Sequence, residues 1–404
     1  MNKYNTQIPE EAKMIINELE QHGFEAFIVG GCVRDMIMER VPNDWDITTS
    51  AKPEDVKRIF KRTYDTGIEH GTITVILNVE HYEVTTYRIE EEYKDFRRPN
   101  GVSFVTDINL DLSRRDFTMN AIAYHPMRGF VDPFCGVVDI QNQTIRTVGI
   151  ACDRLTEDAL RILRGVRFSA QLNFEIEGQT KAGILECRHL LEHISTERIR
   201  DEFTKICISN NVNHLYMLYE MDLLVYIIKE VVQLFDNKTI DIPIKIMSLV
   251  KPEHTLRYVA LLYRLGDKTS VNIMKRMKWD NRTIKEVGLI IKYKNIDIDN
   301  IFIKQMLREM GEDVFEMWLH FMEIKIQIVD ANQLSKIDFI RQTRNSILEN
   351  GECYDLKNLA LTGKDLIGFG VPIGKEIGET LERLLLFVME NPDCNTKERL
   401  INKI

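Results

Sequence analysis

A chain of 404 residues is longer than one hydrophobic core organises and leaves room for roughly two to four compact units. Its 44% hydrophobic and 28% charged content is that of an ordinary soluble globular protein, and no run approaches the roughly 20 apolar residues of a membrane helix. The net charge of −9 argues against extended, non-specific binding to polyanions, although basic residues gathered on one surface still act within a Debye length of about 8–10 Å.

The N-terminal Met1-Asn2-Lys3-Tyr4-Asn5 runs straight into a helix-like segment, without the apolar centre of a signal peptide. The cysteines (Cys32, Cys135, Cys152, Cys187, Cys207, Cys353 and Cys394) lie far apart, with no Cys-x-x-Cys and no nearby His partner. They read as reduced structural thiols of a cytosolic protein, not as zinc ligands or a disulfide framework.

Up to about residue 150, short β-branched and aromatic runs predict strands: Phe27-Ile28-Val29, Trp45-Asp46-Ile47, Thr72–Leu77 and Tyr82–Tyr87. The last two are spaced for a hairpin through Asn78–His81. Helical patterns at about 9–22, 32–40 and 53–62 interleave with them, which predicts a mixed α/β head. Beyond residue 150 the pattern turns helical almost throughout. Leu160, Leu163, Val166 and Phe168 predict a helix from Thr156 to about Gln171, with Thr156 as its cap. Further helical runs fall near 195–209, 212–234, 253–265, 282–293, 311–333 and 376–391, with no internal repeat and no low-complexity tract.

The first cluster of chemistry lies early. Asp44 and Asp46 stand at i and i+2 of a predicted strand, so both carboxylates project to one side. Two such groups repel unless a divalent cation neutralises them, and magnesium favours carboxylates together with substrate phosphate oxygens. Upstream, the Phe27–Val29 strand ends in Gly30-Gly31, where backbone N–H groups can approach a triphosphate closely. Arg34 follows in the first helical turn, placed for a phosphate or ribose. Either feature alone is commonplace on protein surfaces; the two together are far more specific.

The run Phe27-Ile28-Val29-Gly30-Gly31-Cys32-Val33-Arg34-Asp35, followed by Asn43-Asp44-Trp45-Asp46-Ile47-Thr48-Thr49, resembles motif A of the class II nucleotidyltransferases, the family of bacterial CCA-adding enzymes and poly(A) polymerases. Glu83, in Glu83-Val84-Thr85-Thr86-Tyr87-Arg88, matches the family's E-V-x-T-[FY]-R run as a third carboxylate; without the resemblance it reads as an edge-strand surface Glu. Arg114-Arg115-Asp116-Phe117-Thr118-Met119-Asn120-Ala121 matches R-R-D-F-T-x-N-A. Arg115 offers a planar fork to phosphate or ribose oxygens. Asp116 either orients it or caps a helix, and Asn120 either serves the ribose or packs. Tyr93–Val102, with Asp95-x-Arg97-Arg98-Pro99, reads as an exposed loop. The resemblance gives it a part in the switch from CTP to ATP and so favours complete CCA addition.

Glu157-Asp158-x-x-Arg161-x-x-Arg164-x-x-Arg167-Phe168 resembles the family's E-D-x-L-R-x-L-R-x-x-R-F. On one helix Asp158 and Arg161 are neighbours at i and i+3. The carboxylate accepts from the exocyclic amino group of cytosine or adenine, and the guanidinium donates to a ring nitrogen or carbonyl. Uracil and guanine leave these groups unpaired. Each further step of three turns about 60° back around the helix, so Arg164 is expected at phosphate or against Asp158, and Arg167 at phosphate or in a structural role. Glu197-Arg198-Ile199-Arg200-Asp201-Glu202 resembles the family's E-R-I-R-x-E and is expected to brace the structure.

The resemblance fades after about residue 205. It returns in Leu361–Leu366 and Gly374–Gly378, which look like the tail of firmicute CCA-adding enzymes and imply tRNA contact. Lys364 and Lys375 are then phosphate candidates; alone, each reads equally as a surface turn or cap residue. Where some relatives carry a His-Asp phosphohydrolase, this sequence has Leu261-Leu262-Tyr263-Arg264, so that activity is not expected.

Together these readings predict an α/β nucleotidyltransferase head of polymerase beta-like fold (residues 1–150, with the metal site). An all-α neck (151–210, base recognition), body (211–300) and tRNA-binding tail (301–404) are expected to follow. The resemblance implies template-independent addition of CCA to the tRNA 3′ end from CTP and ATP, by two-metal nucleotidyl transfer with release of pyrophosphate. Asp44 and Asp46, with Glu83, hold Mg2+ in this reading; Gly31, Arg34, Arg115, Asp158, Arg161, Arg164 and Arg167 bind the nucleotide, supported by Asp116 and Asn120. A poly(A) polymerase, a CC- or A-adding enzyme and a non-catalytic tRNA-binding protein are the alternatives. The expected setting is cytoplasmic, with no membrane and no obligate protein partner.

Overall fold

A computed structural model describes residues 3–90, 101–295 and 300–404. The Asp95–Pro99 loop falls outside the described residues. The chain forms two compact units, Met1–Lys229 and Glu230–Ile404.

The first unit opens on α1 (Glu10–Gln21), whose buried Ala12, Ile15, Ile16 and Leu19 recur at the helical spacing of a core-facing stripe. β1 (Ala26–Val29) is buried at every residue and ends at Gly30, where φ is +83° and α2 (Gly31–Ile37) begins. Then come β2 (Asp46–Thr49), α3 (Pro53–Ile59), β3 (Thr63–Gly67), β4 (Thr72–Leu77) and β5 (Glu80–Thr86). The β4–β5 hairpin closes more tightly than the sequence predicts. Leu77 pairs with Glu80 across the two residues Asn78 and Val79, and Asn78 takes a left-handed φ of 56°, as a two-residue hairpin turn requires.

β6 (Arg88–Glu90) and β7 (Val102–Phe104) make a separate ribbon, and α4 (Ile108–Ser113), β8 (Ala123–His125) and β9 (Gly129–Val131) complete the head. The sheet order is β3-β4-β5-β2-β1-β8-β9. Among the described strands of this sheet only β2 and β5 pair in parallel, with Asp46 in register with Glu83. One sheet face carries Ile28, Ile47, Ile73 and Val84 into the larger apolar cluster. The other carries Phe27 and Val29 against Ile108 and Leu112 of α4.

The helical part of this unit comprises α5 (Gly136–Gln141), α6 (Ala151–Glu157), α7 (Leu160–Leu172), α8 (Gly178–Cys187) and α9 (Thr196–Cys207), with the short strand β10 (Thr144–Ile145) before α6 and β11 (Glu175–Ile176) between α7 and α8. The single helix expected from Thr156 is in fact two. Thr156 lies inside α6, and the chain turns extended at Asp158 (φ −137°, ψ 102°). The Asp158 side chain takes the N–H of Leu160 at 3.1 Å, a local bond by which aspartate competes with helix continuation. The run near 212–234 likewise divides into His214–Glu220, Leu224–Ile227 and Lys229–Asp236, with Asp222 at φ 55° ending the first.

The second unit is helical, with His254–Leu262, Asn281–Lys292, Glu312–Val329 and Lys375–Glu390 among its helices. Trp318 is fully buried and gives its indole N–H to the Tyr293 carbonyl at 2.9 Å. Thr362 and Asp365 form a reciprocal capping box. No helix among the described residues is long and apolar enough to cross a membrane.

Within the head, Gly136 starts α5 hard against the 3-10 turn Thr118–Asn120. A Cβ there would lie 2.1 Å from the Thr118 carbonyl oxygen, and backbone cannot retreat cheaply. Gly136→Ala should destabilise the first unit by about 1–3 kcal/mol, read as a lower thermal or urea midpoint; a wild-type midpoint would contradict the packing.

Candidate active site

Asp46 opens β2 beside Glu83 of β5. In-register residues on neighbouring strands present their side chains to the same face, which here is the face of Phe27 and Val29. Asp44 sits in the bend just before the strand rather than on it, because β2 starts only at Asp46. Burial raises the Asp46 carboxyl above its ordinary value; Arg115 pulls it down, whereas Glu83 and Asp44 push it up. Three acidic groups therefore act on one point with a single guanidinium among them.

Gly30 is the other wall. A Cβ on it would lie 2.9 Å from Arg115 Nη1 and 4.0 Å from Asp46 Oδ2. Only a glycine satisfies both the left-handed turn out of β1 and this close approach. Arg115 Nε is buried without a hydrogen-bond partner among the described residues, a donor that buried sites usually satisfy. Asp111, which the sequence reading did not single out, holds this arginine. Fully buried on α4, it accepts from Arg115 Nη2 at 3.3 Å, from Arg114 at 2.7 and 3.0 Å, and from Thr48 Oγ1 at 3.3 Å. Its only advance signal is its place one helical turn before Arg115.

A second network ties the sheet to α7. Arg34 is buried; its Nη1 donates to Asn120 Oδ1 at 2.8 Å, and its other nitrogens donate to Asp35. Asn120 Nδ2 donates to Asp116 Oδ1 at 3.1 Å. Asp116 Oδ2 receives Arg164 Nε at 2.8 Å and Nη2 at 2.5 Å. Arg164 thus meets Asp116, not Asp158. Burial alone would raise the Asp116 carboxyl, but Arg164 and Asn120 more than offset it and hold it well below the usual carboxylate range. The guanidinium carbons of Arg34, Arg164 and Arg167 lie 5.3, 5.4 and 4.0 Å from the centre of the Phe168 ring. Arg167 also pairs with Glu202 at 2.7 Å.

The break at Asp158 separates the two residues expected to be helical neighbours. Arg161 pairs with Glu157 and donates to the carbonyls of Arg154 at 2.8 Å and Arg114 at 3.1 Å. Asp158 is gripped instead by Arg198 of α9, through Nη1 to Oδ1 at 3.2 Å and Nη2 to Oδ2 at 2.8 Å. In the second unit Lys364 is exposed in the first turn of Gly363–Gly368, and Lys375 is 90% exposed, facing Glu379 at 2.7 Å.

Among the described residues no group of three or more His, Cys, Asp or Glu side chains could hold a metal ion by itself. The acidic excess around Asp46 fits a divalent cation, which carboxylates would hold together with water and substrate phosphate.

The class of the protein is that of a nucleotidyltransferase: the sheet of the head, with its acidic face, lies within residues 26–146, which match the Poly A polymerase head domain. Residues 173–234 match the "probable RNA and SrmB-binding site of polymerase A", and 251–404 match tRNA nucleotidyltransferase domain 2. The CCA-adding enzyme of Enterococcus faecalis is 38% identical over 98% of this chain and 96% of its own length; that of Pediococcus pentosaceus is 35% identical over 98% and 97%. The Bacillus stearothermophilus CCA-adding enzyme in complex with CTP superposes with a TM-score of 0.81 at 31% identity, covering 100% of this chain and 97% of that one. The chain belongs to the CCA-adding enzymes, a family of tRNA nucleotidyltransferases, and enzymes of this kind generally use divalent metals.

Two substitutions probe the geometry. Gly30→Ala should displace Arg115 and weaken CTP binding roughly tenfold or more, measured by equilibrium titration; unchanged affinity would sink the assignment of this wall. Asp116→Asn should cost about 2–3 kcal/mol, the lower end for a buried pair because Arg164 is 34% exposed. Because the folded carboxyl is depressed, the wild-type contribution is complete above the unfolded value near pH 3.9 and is lost as pH falls through the folded value. The variant's stability should therefore lie below wild type at neutral pH and converge with it in strong acid, followed by urea midpoints.

Proposed function

We propose that this protein adds C, C and A in turn to the 3′ end of tRNA, taking CTP and ATP and releasing pyrophosphate. The observation that carries the reading is the Asp46 site, where Asp44, Asp46 and Glu83 oppose one arginine beside Gly30, in a chain related over its whole length to CCA-adding enzymes.

In each step the terminal ribose hydroxyl forms a bond to the α-phosphorus and the bond to the β-phosphate oxygen breaks. Magnesium bound to Asp44 and Asp46, with Glu83, would lower the pKa of the attacking hydroxyl and neutralise charge on the leaving phosphate. Arg115, aimed by Asp111, offers its open N–H groups to the triphosphate, and the Gly30-Gly31 turn leaves room for it. Arg34 and Asn120 form the ribose side, fixed through Asp116 to Arg164. Asp158 and Arg161 meet the base edge, Arg167 braces α7 through Glu202, and Lys364 and Lys375 take tRNA phosphates. The working parts are a catalytic head (1–150), a base-reading neck (151–210), a body (211–300) and a tRNA-binding tail (301–404), and the enzyme acts in the cytoplasm.

The head's match to a poly(A) polymerase domain makes that activity the second reading. Transcripts ending at the discriminator base, at C and at CC, each given CTP or ATP, separate the two. Growth to CCA and then arrest is expected; extension of only the CC-ended transcript, or long A tails on unrelated RNA, would overturn the reading. Asp46→Ala should lower incorporation about a thousandfold or more while tRNA still binds. Chelation should abolish incorporation and Mg2+ should restore it.

A further inference from the structure

The bond count at Asp158 assigns a task to Arg198, a residue of α9 that the sequence reading treats as a brace. An ionised carboxylate has about four lone-pair positions and no donor. Among the described residues, Oδ1 accepts from Arg198 Nη1 at 3.2 Å and from the Leu160 N–H at 3.1 Å, and Oδ2 accepts from Arg198 Nη2 at 2.8 Å. Three positions are filled, and one remains, on Oδ2. The side chain is 18% exposed and Arg198 is 26% exposed, so the pair is neither sealed nor freely solvated. Asp158 itself lies in the extended link between α6 and α7, where its carbonyl takes the Arg161 N–H at 2.9 Å, and its side chain is held by these three donors.

We infer that Arg198 is a positioning residue for nucleotide selection: its two-point grip turns Asp158 so that a single acceptor position, on Oδ2, faces the incoming base. This rests on the reading of Asp158 as a base-recognising group. A single fixed acceptor is matched by an exocyclic amino group, N4 of cytosine or N6 of adenine. It is opposed by the carbonyl oxygen that uracil and guanine carry at the same place. Without the fork the carboxylate would swing about its own side-chain torsions. A rotating or hydrated carboxyl tolerates an acceptor that a clamped one rejects. A planar guanidinium can hold both oxygens at once, which an ammonium or an amide cannot do.

The test measures kcat/KM for CTP and for UTP on a transcript ending at the discriminator base. It uses wild type, Arg198→Gln, Arg198→Lys, Asp158→Ala and the Asp158→Ala/Arg198→Gln double variant, with thermal melts to verify folding. Arg198→Gln should lower the CTP-to-UTP preference roughly ten- to a hundredfold, mainly through KM for CTP, with Lys intermediate. On the Asp158→Ala background the same change should leave the preference where Asp158→Ala alone puts it, since Arg198 acts through that carboxylate. A uniform loss on both nucleotides with the preference intact would reduce Arg198 to a brace and overturn the inference. If Asp158→Ala itself keeps the wild-type preference, the base-reading role of Asp158 fails and the inference falls with it. If only Asp158→Ala changes the preference, base reading stands and the role of Arg198 alone is refuted.

Discussion

The two bonds from Arg164 to Asp116 join the sheet-based head to the helix that follows it, and much of the site hangs from that junction. Asp116 also holds Asn120, and Asn120 holds Arg34. One carboxylate therefore sets three groups on three different elements. A buried charge stays ionised only when its partners compensate the lost hydration. Here the compensation comes from side chains that also define the rim of the site, so fold stability and site geometry are coupled at this point.

The opposite electrostatic situation prevails at Asp46. Asp46 is raised where Asp116 is depressed: burial raises it, Glu83 and Asp44 add to that, and Arg115, which opposes them, is shared with Asp111. The charge of Asp116 is compensated by groups of the chain, whereas Asp46 keeps two further acids beside it. Asp111 makes this possible by anchoring Arg115 at one end, so that the arginine can approach Gly30 and Asp46 without collapsing into a full ion pair.

Much of the head was legible in the sequence. The β-branched runs gave the β4–β5 hairpin, and the stripe of Ala12, Ile15, Ile16 and Leu19 follows the helical period that α1 adopts. Local pattern fails where a side chain bonds its own backbone. Asp158 breaks what reads as one helix by taking the Leu160 N–H, and period alone does not register such a bond. Asp111 and Arg198 were equally hard to see. Each is ordinary in its own helix, and each acquires meaning only from a partner 4 or 40 residues away.

The sequence by itself determined the chemical vocabulary: acids after a glycine turn, arginines at spacing three, an α/β head and a helical remainder. Those features are set by residue type and short-range periodicity, which hold before any packing exists. Only the tertiary structure decided the pairings, with Arg164 on Asp116, Arg161 on Glu157 and Arg198 on Asp158. A guanidinium several bonds from its backbone reaches many carboxylates, and which one it meets is fixed by how helices and strands are placed around it.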